Sequence, residues 1–169
     1  MYWLSLQRRY WRWRYDNMKH GKNASNEHPL IAQWKAESLP KKSRWKDAEF
    51  LVVDTETSSL TPETGELLSI GWVIIREAKI LLHTAEHHLV KPQRTVGQSA
   101  AIHQLRDCDV DQGEDSHTIM NTLLAAAKNR VLVFHHASLD TTFLNAASKQ
   151  CFGMPLLWPT IDTLQLEKK

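Results

Sequence analysis

The amino-acid sequence predicts an α/β fold in which helices flank a mixed β-sheet. Apolar runs rich in branched residues predict strands over residues 50–53, 66–77 and 79–90. Their short connections indicate an antiparallel meander, because a parallel crossover needs about a dozen residues or more. A fourth strand, 131–136, lies between two predicted helices, so it can run parallel to the first strand.

Helical periodicity predicts the elements around that fourth strand. One helix is expected over 116–129 and another over 138–150, with Ser138 as its N-cap. A shorter helix of two turns is expected over 98–105. The side chains expected to face the core are Ile119, Met120, Leu123, Leu124 and Ala127 in the first of these helices, and Phe143, Leu144 and Ala147 in the second.

Length and composition indicate one soluble globular domain with a short appendage. The 169 residues are 42% hydrophobic and 24% charged, which is the balance of a globular protein. No apolar run approaches the roughly 20 residues that span a bilayer, and Arg8 comes too early for the apolar core of a signal peptide. Two cysteines, Cys108 and Cys151, suit a reducing compartment. We therefore expect a cytoplasmic protein without integral membrane association.

The charge divides the chain into a basic arm, residues 1–48, and a domain, residues 49–169. The arm carries eleven basic and four acidic side chains, a net charge of +7, which leaves −5 for the domain. It also holds five of the seven tryptophans and two predicted helices, 2–14 and 29–38. Three hypotheses stay open for the arm: contact with nucleic acid, contact with an anionic membrane surface, and an amphipathic helix laid across the domain.

Two carboxylates follow the first predicted strand. Asp54 and Glu56 are two residues apart, so in an extended chain they project to the same side. Their mutual repulsion would be offset by a hard cation such as Mg²⁺ or Mn²⁺, which prefers oxygen ligands. An acidic strand end in solvent is the alternative explanation of this pattern.

A third carboxylate strengthens the metal hypothesis. Asp140 lies in the first turn of the helix after strand 131–136. If that strand lies beside 50–53, the helix begins at the same edge of the sheet and brings Asp140 near Asp54. Its alternative role is a favourable charge at a helix amino terminus.

Four segments in this order resemble the DEDD 3′–5′ exonucleases, a branch of the ribonuclease H-like superfamily that includes the epsilon proofreading subunit of bacterial DNA polymerase III. The first motif of the family is similar to DTETSSLTPETGELLSIGWVII (54–75), and its Ile-His segment to QSAAIHQL (98–105). The second motif is similar to VFHHASLDTTFL (133–144), and the following Asp-Thr-Leu segment to IDTLQL (161–166). The resemblance covers 49–169 and excludes the arm.

The resemblance implies roles for individual residues. Asp54 and Glu56 would be metal ligands, with Asp54 bridging two Mg²⁺ or Mn²⁺ ions, and Asp140 would support the second ion directly or through water. The backbone around Glu56, Thr57 and Ser58 would hold the terminal nucleotide, and Leu60 would pack on its base. His103 would lie near the substrate, or else be a helix-end histidine satisfied by backbone.

The sequence departs from the family pattern in three places. The family's third motif, which supplies a histidine and, five residues later, a fourth Asp, is absent after Asp162, and with it the last one or two helices. We therefore expect a domain truncated before that motif, whose first metal ion lacks one ligand. Ser59 stands where Gly is frequent, which predicts strain in a turn that needs positive φ. His136 stands where Asn is usual.

These observations predict a metal-dependent 3′–5′ exonuclease domain that releases nucleoside 5′-monophosphates from single-stranded DNA or RNA 3′ ends, with a DNA polymerase as a candidate partner. The alternative hypothesis is a non-catalytic module of the same fold that binds nucleic-acid ends or a polymerase. A binding-only module has no need of a metal at the three acids.

Overall fold

A mixed five-stranded sheet organises the chain. The computed structural model describes residues 9–10, 12–13, 28–36, 44–91 and 113–168. The strand order is β3-β2-β1-β4-β5; β1, β2 and β3 are antiparallel, whereas β4 and β5 run parallel to β1. The expected meander and the parallel fourth strand are thereby confirmed. The strands are β1 (Phe50–Thr57), β2 (Leu67–Arg76), β3 (Lys79–Leu89), β4 (Val131–Phe134) and β5 (Thr160–Asp162).

Three of the four helices whose bounds lie in the described residues are where the sequence predicts them, and the short last one was not predicted. The four helices are α1 (Pro29–Ala36), α2 (Ser116–Ala127), α3 (Ser138–Phe152) and α4 (Thr163–Glu167), with a 3₁₀ turn at Trp45–Asp47. All five predicted core side chains of α2 are buried, as are Phe143 and Leu144 of α3, while Ala147 is half-buried. In the described part of the chain, no helix is long and apolar enough to cross a bilayer.

The core lies against one face of the sheet. Alternate residues of β1 and β4, namely Leu51, Val53, Leu132 and Phe134, are at most 2% exposed and join the α2 stripe in one apolar cluster. Burial of such side chains stabilises a fold by about 25 cal/mol per Å². The residues that alternate with these core residues along β1 face the other side of the sheet, and they include Asp54 and Glu56. The pleat therefore separates the core residues of this strand from its acids.

The body of the fold includes α1, which belongs to the segment that the charge pattern assigns to the arm. Leu30 is fully buried, and the Trp34 indole donates from Nε1 to the carbonyl of Leu156 at 3.2 Å. His28 accepts from the backbone N–H of Leu30 at Nδ1, so its Nε2 donates to the carbonyl of Phe152 at 2.7 Å. Residues 28–36 are thus tied to α3 and the loop that follows it.

Several element ends differ from the sequence expectations. β1 continues through Thr57 because β2 supplies hydrogen-bond partners as far as Leu67. β4 ends at Phe134, two residues early, since His136 adopts a left-handed φ of 66°. The N-cap of α3 is Ala137 rather than Ser138. β5 was not predicted as a strand. The predicted helix 98–105 and most of 2–14 lie outside the described residues, although positions 9, 10, 12 and 13 are helical.

A carboxylate at the start of β1 fixes its position in the sheet. Glu49 accepts hydrogen bonds from Arg76, at the end of β2, at 2.6 Å and from Arg130, just before β4, at 2.9 Å. The pKa of Glu49 is lowered, chiefly by the hydrogen bond from Arg76. The bridges therefore hold β1 against both of its neighbours at the end of the strand away from Asp54.

Candidate active site

The first pair of predicted acids lies inside β1 rather than after it. Asp54 is exposed and Glu56 is half-buried, and they pair across the sheet with Gly71 and Ser69. Thr55, between them, is buried on the opposite face. The strand therefore presents both carboxylates on one side, as their spacing predicts.

The third acid is buried and anchored to the same strand. Asp140 lies in the first turn of α3 and is 6% exposed. Its Oδ1 accepts from the backbone N–H of Thr55 at 3.1 Å and from the Thr55 hydroxyl at 2.7 Å. These bonds bring the amino end of α3 to β1, because β4 is parallel to β1 and delivers the chain to this edge of the sheet.

The electrostatics of Asp140 indicate an unbalanced negative charge. Burial raises the pKa of its carboxyl, the hydrogen bonds from Thr55 lower it, and the nearby charge of Asp54 raises it again, with a net upward shift. Asp54 and Asp140 are therefore close enough to repel each other. A cation between them would relieve both the desolvation and the repulsion.

The donor chemistry fits a hard divalent ion, although the acids alone do not form a closed site. Within residues 28–36, 44–91 and 113–168, no group of three or more His, Cys, Asp or Glu side chains is arranged to hold a metal ion. Carboxylate oxygens are nonetheless the ligands that Mg²⁺ and Mn²⁺ prefer, and such ions keep several waters. The arrangement of Asp54, Glu56 and Asp140 therefore suits an ion that some of these carboxylates bind directly and that another contacts through a bound water.

The last residue of β1 and the loop after it include Thr57, Ser58 and Leu60, which are expected to contact substrate. The Thr57 side chain is buried, and its hydroxyl donates to the carbonyl of Ser59 at 2.8 Å. Ser58 exchanges two bonds with Glu66: its hydroxyl accepts from the Glu66 N–H at 2.8 Å, and its own N–H donates to the Glu66 carbonyl at 2.9 Å. Leu60, three residues after the end of β1, is 81% exposed. The loop is thus pinned at its base and presents an apolar side chain outward.

The expected strain at Ser59 is not found. Ser59 does not have a positive φ, and its hydroxyl donates to the Thr61 carbonyl at 2.8 Å while accepting from the Thr61 N–H at 3.2 Å. The glycine that this turn requires is Gly65 instead. A Cβ on Gly65 would lie 2.5 Å from the Ser59 hydroxyl and 2.7 Å from its backbone nitrogen.

The end of β4 and the start of α4 form a second hydrogen-bonded junction at this edge. Asp162 Oδ1 accepts from the backbone N–H groups of His136 and Leu164, both at 3.0 Å. The Thr163 hydroxyl donates to the carbonyl of Phe134 at 3.2 Å and so accepts from His135 Nδ1 at 2.9 Å. Asp162 thus holds His136 in its left-handed conformation, which His adopts more readily than most residues.

Sequence reasoning missed Thr55 and the linking role of Asp162. The signal for Thr55 is a hydroxyl among Leu51 and Val53 on the buried face, where periodicity calls for an apolar residue. The expectation for His103 lies outside the described residues. In the arm, Tyr10 is 51% and Trp13 62% exposed, with ring centroids 6.3 Å apart.

Known proteins similar to this chain are exonucleases and DNA polymerase III proteins. The family model described as exonuclease matches residues 51–169. A PolC-type DNA polymerase III of Thermotoga petrophila is 31% identical over 127 residues, 75% of this chain and 9% of the polymerase. The DNA polymerase III epsilon subunit of Treponema pallidum is 29% identical over 115 residues, 68% of this chain and 53% of the subunit. This chain therefore spans only part of each of these relatives.

Among solved structures, E. coli exonuclease I in its zinc-bound complex with single-stranded DNA has the same fold. The TM-score is 0.65 at 14% identity, covering 72% of this chain and 29% of the exonuclease. The metal-free complex gives a TM-score of 0.64 at 12% identity.

Proposed function

This chain belongs to the DEDD exonuclease family, and we propose that it is a metal-dependent 3′–5′ exonuclease domain acting on single-stranded nucleic acid. The observation that carries the proposal is the buried Asp140, hydrogen-bonded to the residue between Asp54 and Glu56. Helix α3 and strand β1 are thereby joined where the two motifs of the family meet. A buried acid beside a second acid is costly in a merely structural role.

Exonucleases of this family use divalent metal ions, and we assign Asp54, Glu56 and Asp140 to hold them. When bound, such ions would activate water and stabilise the leaving 3′-oxygen. Mg²⁺ and Mn²⁺ are the candidates, because all three donors are carboxylates.

The chain's own residues would position the substrate. The backbone around Glu56, Thr57 and Ser58 would hold the terminal nucleotide through groups other than the Ser58 N–H, which the Glu66 carbonyl already uses. The side-chain bonds of Thr57 and Ser58 keep this segment in place. The exposed Leu60 would pack on the terminal base, where apolar contact is independent of base identity. His103 is assigned to the same substrate site by its motif alone.

Single-stranded DNA is the substrate we favour, with RNA 3′ ends as the alternative. E. coli exonuclease I, which shares the fold, is complexed with single-stranded DNA, and the curated relatives are components of DNA polymerase III. A polymerase is accordingly the candidate partner. In the arm, the exposed rings of Tyr10 and Trp13 alternate with Arg9 and Arg12, an arrangement suited to stacking and phosphate contact.

The test is digestion of a 5′-labelled single-stranded oligonucleotide by the wild-type chain and by Asp54→Ala, with Glu63→Gln as a control for a nearby exposed acid. Loss of several kcal/mol of transition-state stabilisation predicts a fall on the order of 1000-fold for Asp54→Ala and little change for Glu63→Gln. Unchanged 3′-end trimming by Asp54→Ala would refute the catalytic assignment. A wild-type chain that binds the oligonucleotide but neither trims it nor binds Mn²⁺ would favour the binding-module hypothesis.

A further inference from the structure

We propose that Thr55 is a positioning residue of the metal site: it holds one oxygen of Asp140 so that the other is presented to the cation. The inference rests on the proposed function, because it assigns Asp140 to the metal. It adds a residue that would act through Asp140, because the Thr55 side chain lies on the other face of β1 from Asp54 and Glu56.

The geometry assigns the two Asp140 oxygens different tasks. Both hydrogen bonds from Thr55 end on Oδ1, one from the backbone N–H at 3.1 Å and one from the hydroxyl at 2.7 Å. Two donors on one oxygen fix the carboxylate plane as well as its position. Oδ2 is the oxygen that we assign to the ion or to a water bound to it.

The buried face of β1 changes from apolar to polar at Thr55. Leu51 and Val53 lie in the apolar core, whereas Thr55 and Thr57 are buried threonines, and the Thr57 hydroxyl is used by the Ser59 carbonyl. Valine has nearly the same shape as threonine, so an apolar residue would fill the position without a polar group to satisfy. The hydroxyl is accounted for by its bond to a carboxylate that is itself only 6% exposed.

Loss of the hydroxyl should loosen Asp140 without removing it. The backbone donor remains in Thr55→Val, so the carboxylate keeps one bond but gains freedom to rotate about its terminal torsion. Residues that orient a metal ligand from behind typically contribute about 10- to 100-fold to metal affinity. We expect a loss in that range.

Ser148 provides a matched control in the same helix as Asp140. It is fully buried, and its hydroxyl donates to the carbonyl of Met154 at 2.7 Å. Ser148→Ala therefore removes a buried hydrogen bond of similar length that has no part in holding the acids. It measures how far a general loss of stability disturbs metal binding.

The experiment titrates Mn²⁺ into the full chain and follows the free ion by electron paramagnetic resonance, without substrate or turnover. Thr55→Val should weaken binding about 10- to 100-fold, Thr55→Ser should restore near-wild-type affinity, and Ser148→Ala should lower the melting temperature while leaving affinity unchanged. Wild-type affinity in Thr55→Val, or an equal loss in Ser148→Ala, would overturn the positioning role.

The Asp54→Ala variant separates this failure from failure of the proposed function. If the wild-type chain shows no Mn²⁺ binding that Asp54→Ala removes, the metal assignment itself fails and the role of Thr55 falls with it. If Asp54→Ala abolishes binding but Thr55→Val leaves it intact, only the positioning role is wrong.

Discussion

Replacing Asp140 by Asn should stabilise the metal-free protein and remove its response to metal. The amide keeps an oxygen that can accept both bonds from Thr55. The substitution also removes the negative charge of a residue that is only 6% exposed and is repelled by Asp54. Hydrogen bonds to a neutral acceptor are weaker by about 1 kcal/mol each, whereas burial of an ion costs several kcal/mol. The upward pKa shift of Asp140 indicates that the second effect is larger.

The expected net gain is about 1 kcal/mol, or a melting temperature higher by roughly 2–4 °C for a chain of this size. The upward pKa shift of Asp140 also determines how the stability difference between the variant and the wild type changes with pH. Because the folded carboxyl holds its proton more tightly than the unfolded one, the group opposes folding once the pH exceeds the unfolded pKa of about 3.9. The advantage of Asp140→Asn should therefore be full at pH 7 and vanish near pH 3.

Divalent metal should reverse the order of the two proteins. An ion present at 100 times its dissociation constant stabilises the wild type by about 2.7 kcal/mol, which corresponds to roughly 5–10 °C. Differential scanning calorimetry with EDTA and then with Mn²⁺ measures both differences. A variant less stable than the wild type in EDTA would show that the buried charge is already compensated, and the electrostatic argument for a cation would fail.

Three further predictions follow from single contacts. His88→Gln should lower the free energy of unfolding by about 1 kcal/mol at pH 6, because the half-exposed Glu86 and Glu114 bond the two ring nitrogens of His88. Burial lowers the His88 pKa, but the bonds from the two glutamates raise it by more. The difference in stability should therefore shrink as the pH rises through the folded pKa of His88. Calorimetry of His88→Gln measures this, with the exposed His87→Gln as the control. Gly65→Ala should cost about 1–3 kcal/mol in urea unfolding, because its Cβ would overlap Ser59; an unchanged midpoint would contradict this. Leu60→Ala should raise KM for oligonucleotides about 10-fold, because covering an exposed leucine with a base contributes about 1.5 kcal/mol of apolar burial. The melting temperature should not change, because the side chain is 81% exposed in the free protein. A changed kcat with constant KM would place Leu60 outside the base contact.

The long elements of the fold were predictable because their side chains alternate or recur with a single period. The α2 stripe from Ile119 to Ala127 is an example, since each member is buried where the period places it. The three-residue β5 gives no such pattern, and its pairing with β4 depends on tertiary contact. The extension of β1 through Thr57 likewise depends on the partner that β2 supplies.

The relative positions of the three acids could be predicted, but the hydrogen bonds that join Asp140 to β1 could not. The spacing of Asp54 and Glu56 predicts that both carboxylates lie on one side of a strand. The place of Asp140, at the start of a helix that follows a parallel strand, predicts that it lies near them. The bond from Thr55 to Asp140 joins residues 85 positions apart, and nothing in the local sequence specifies it. The turn after β1 is a second example. The sequence predicts a need for glycine at position 59, whereas in the structure the position without room for a side chain is Gly65, six residues later, because Ser59 lies against it.

The burial that makes Asp140 unfavourable in the metal-free fold is also what would make it an effective ligand. In water, a carboxylate and a cation attract each other weakly, whereas in the less polarisable interior the same attraction is several times stronger. Asp54 alone, which is exposed, would hold an ion in competition with solvent. Burial disfavours the charged form of Asp140, and the two bonds from Thr55 hold that carboxylate in one orientation. Under the proposed function, a divalent ion would offset the cost of the buried charge.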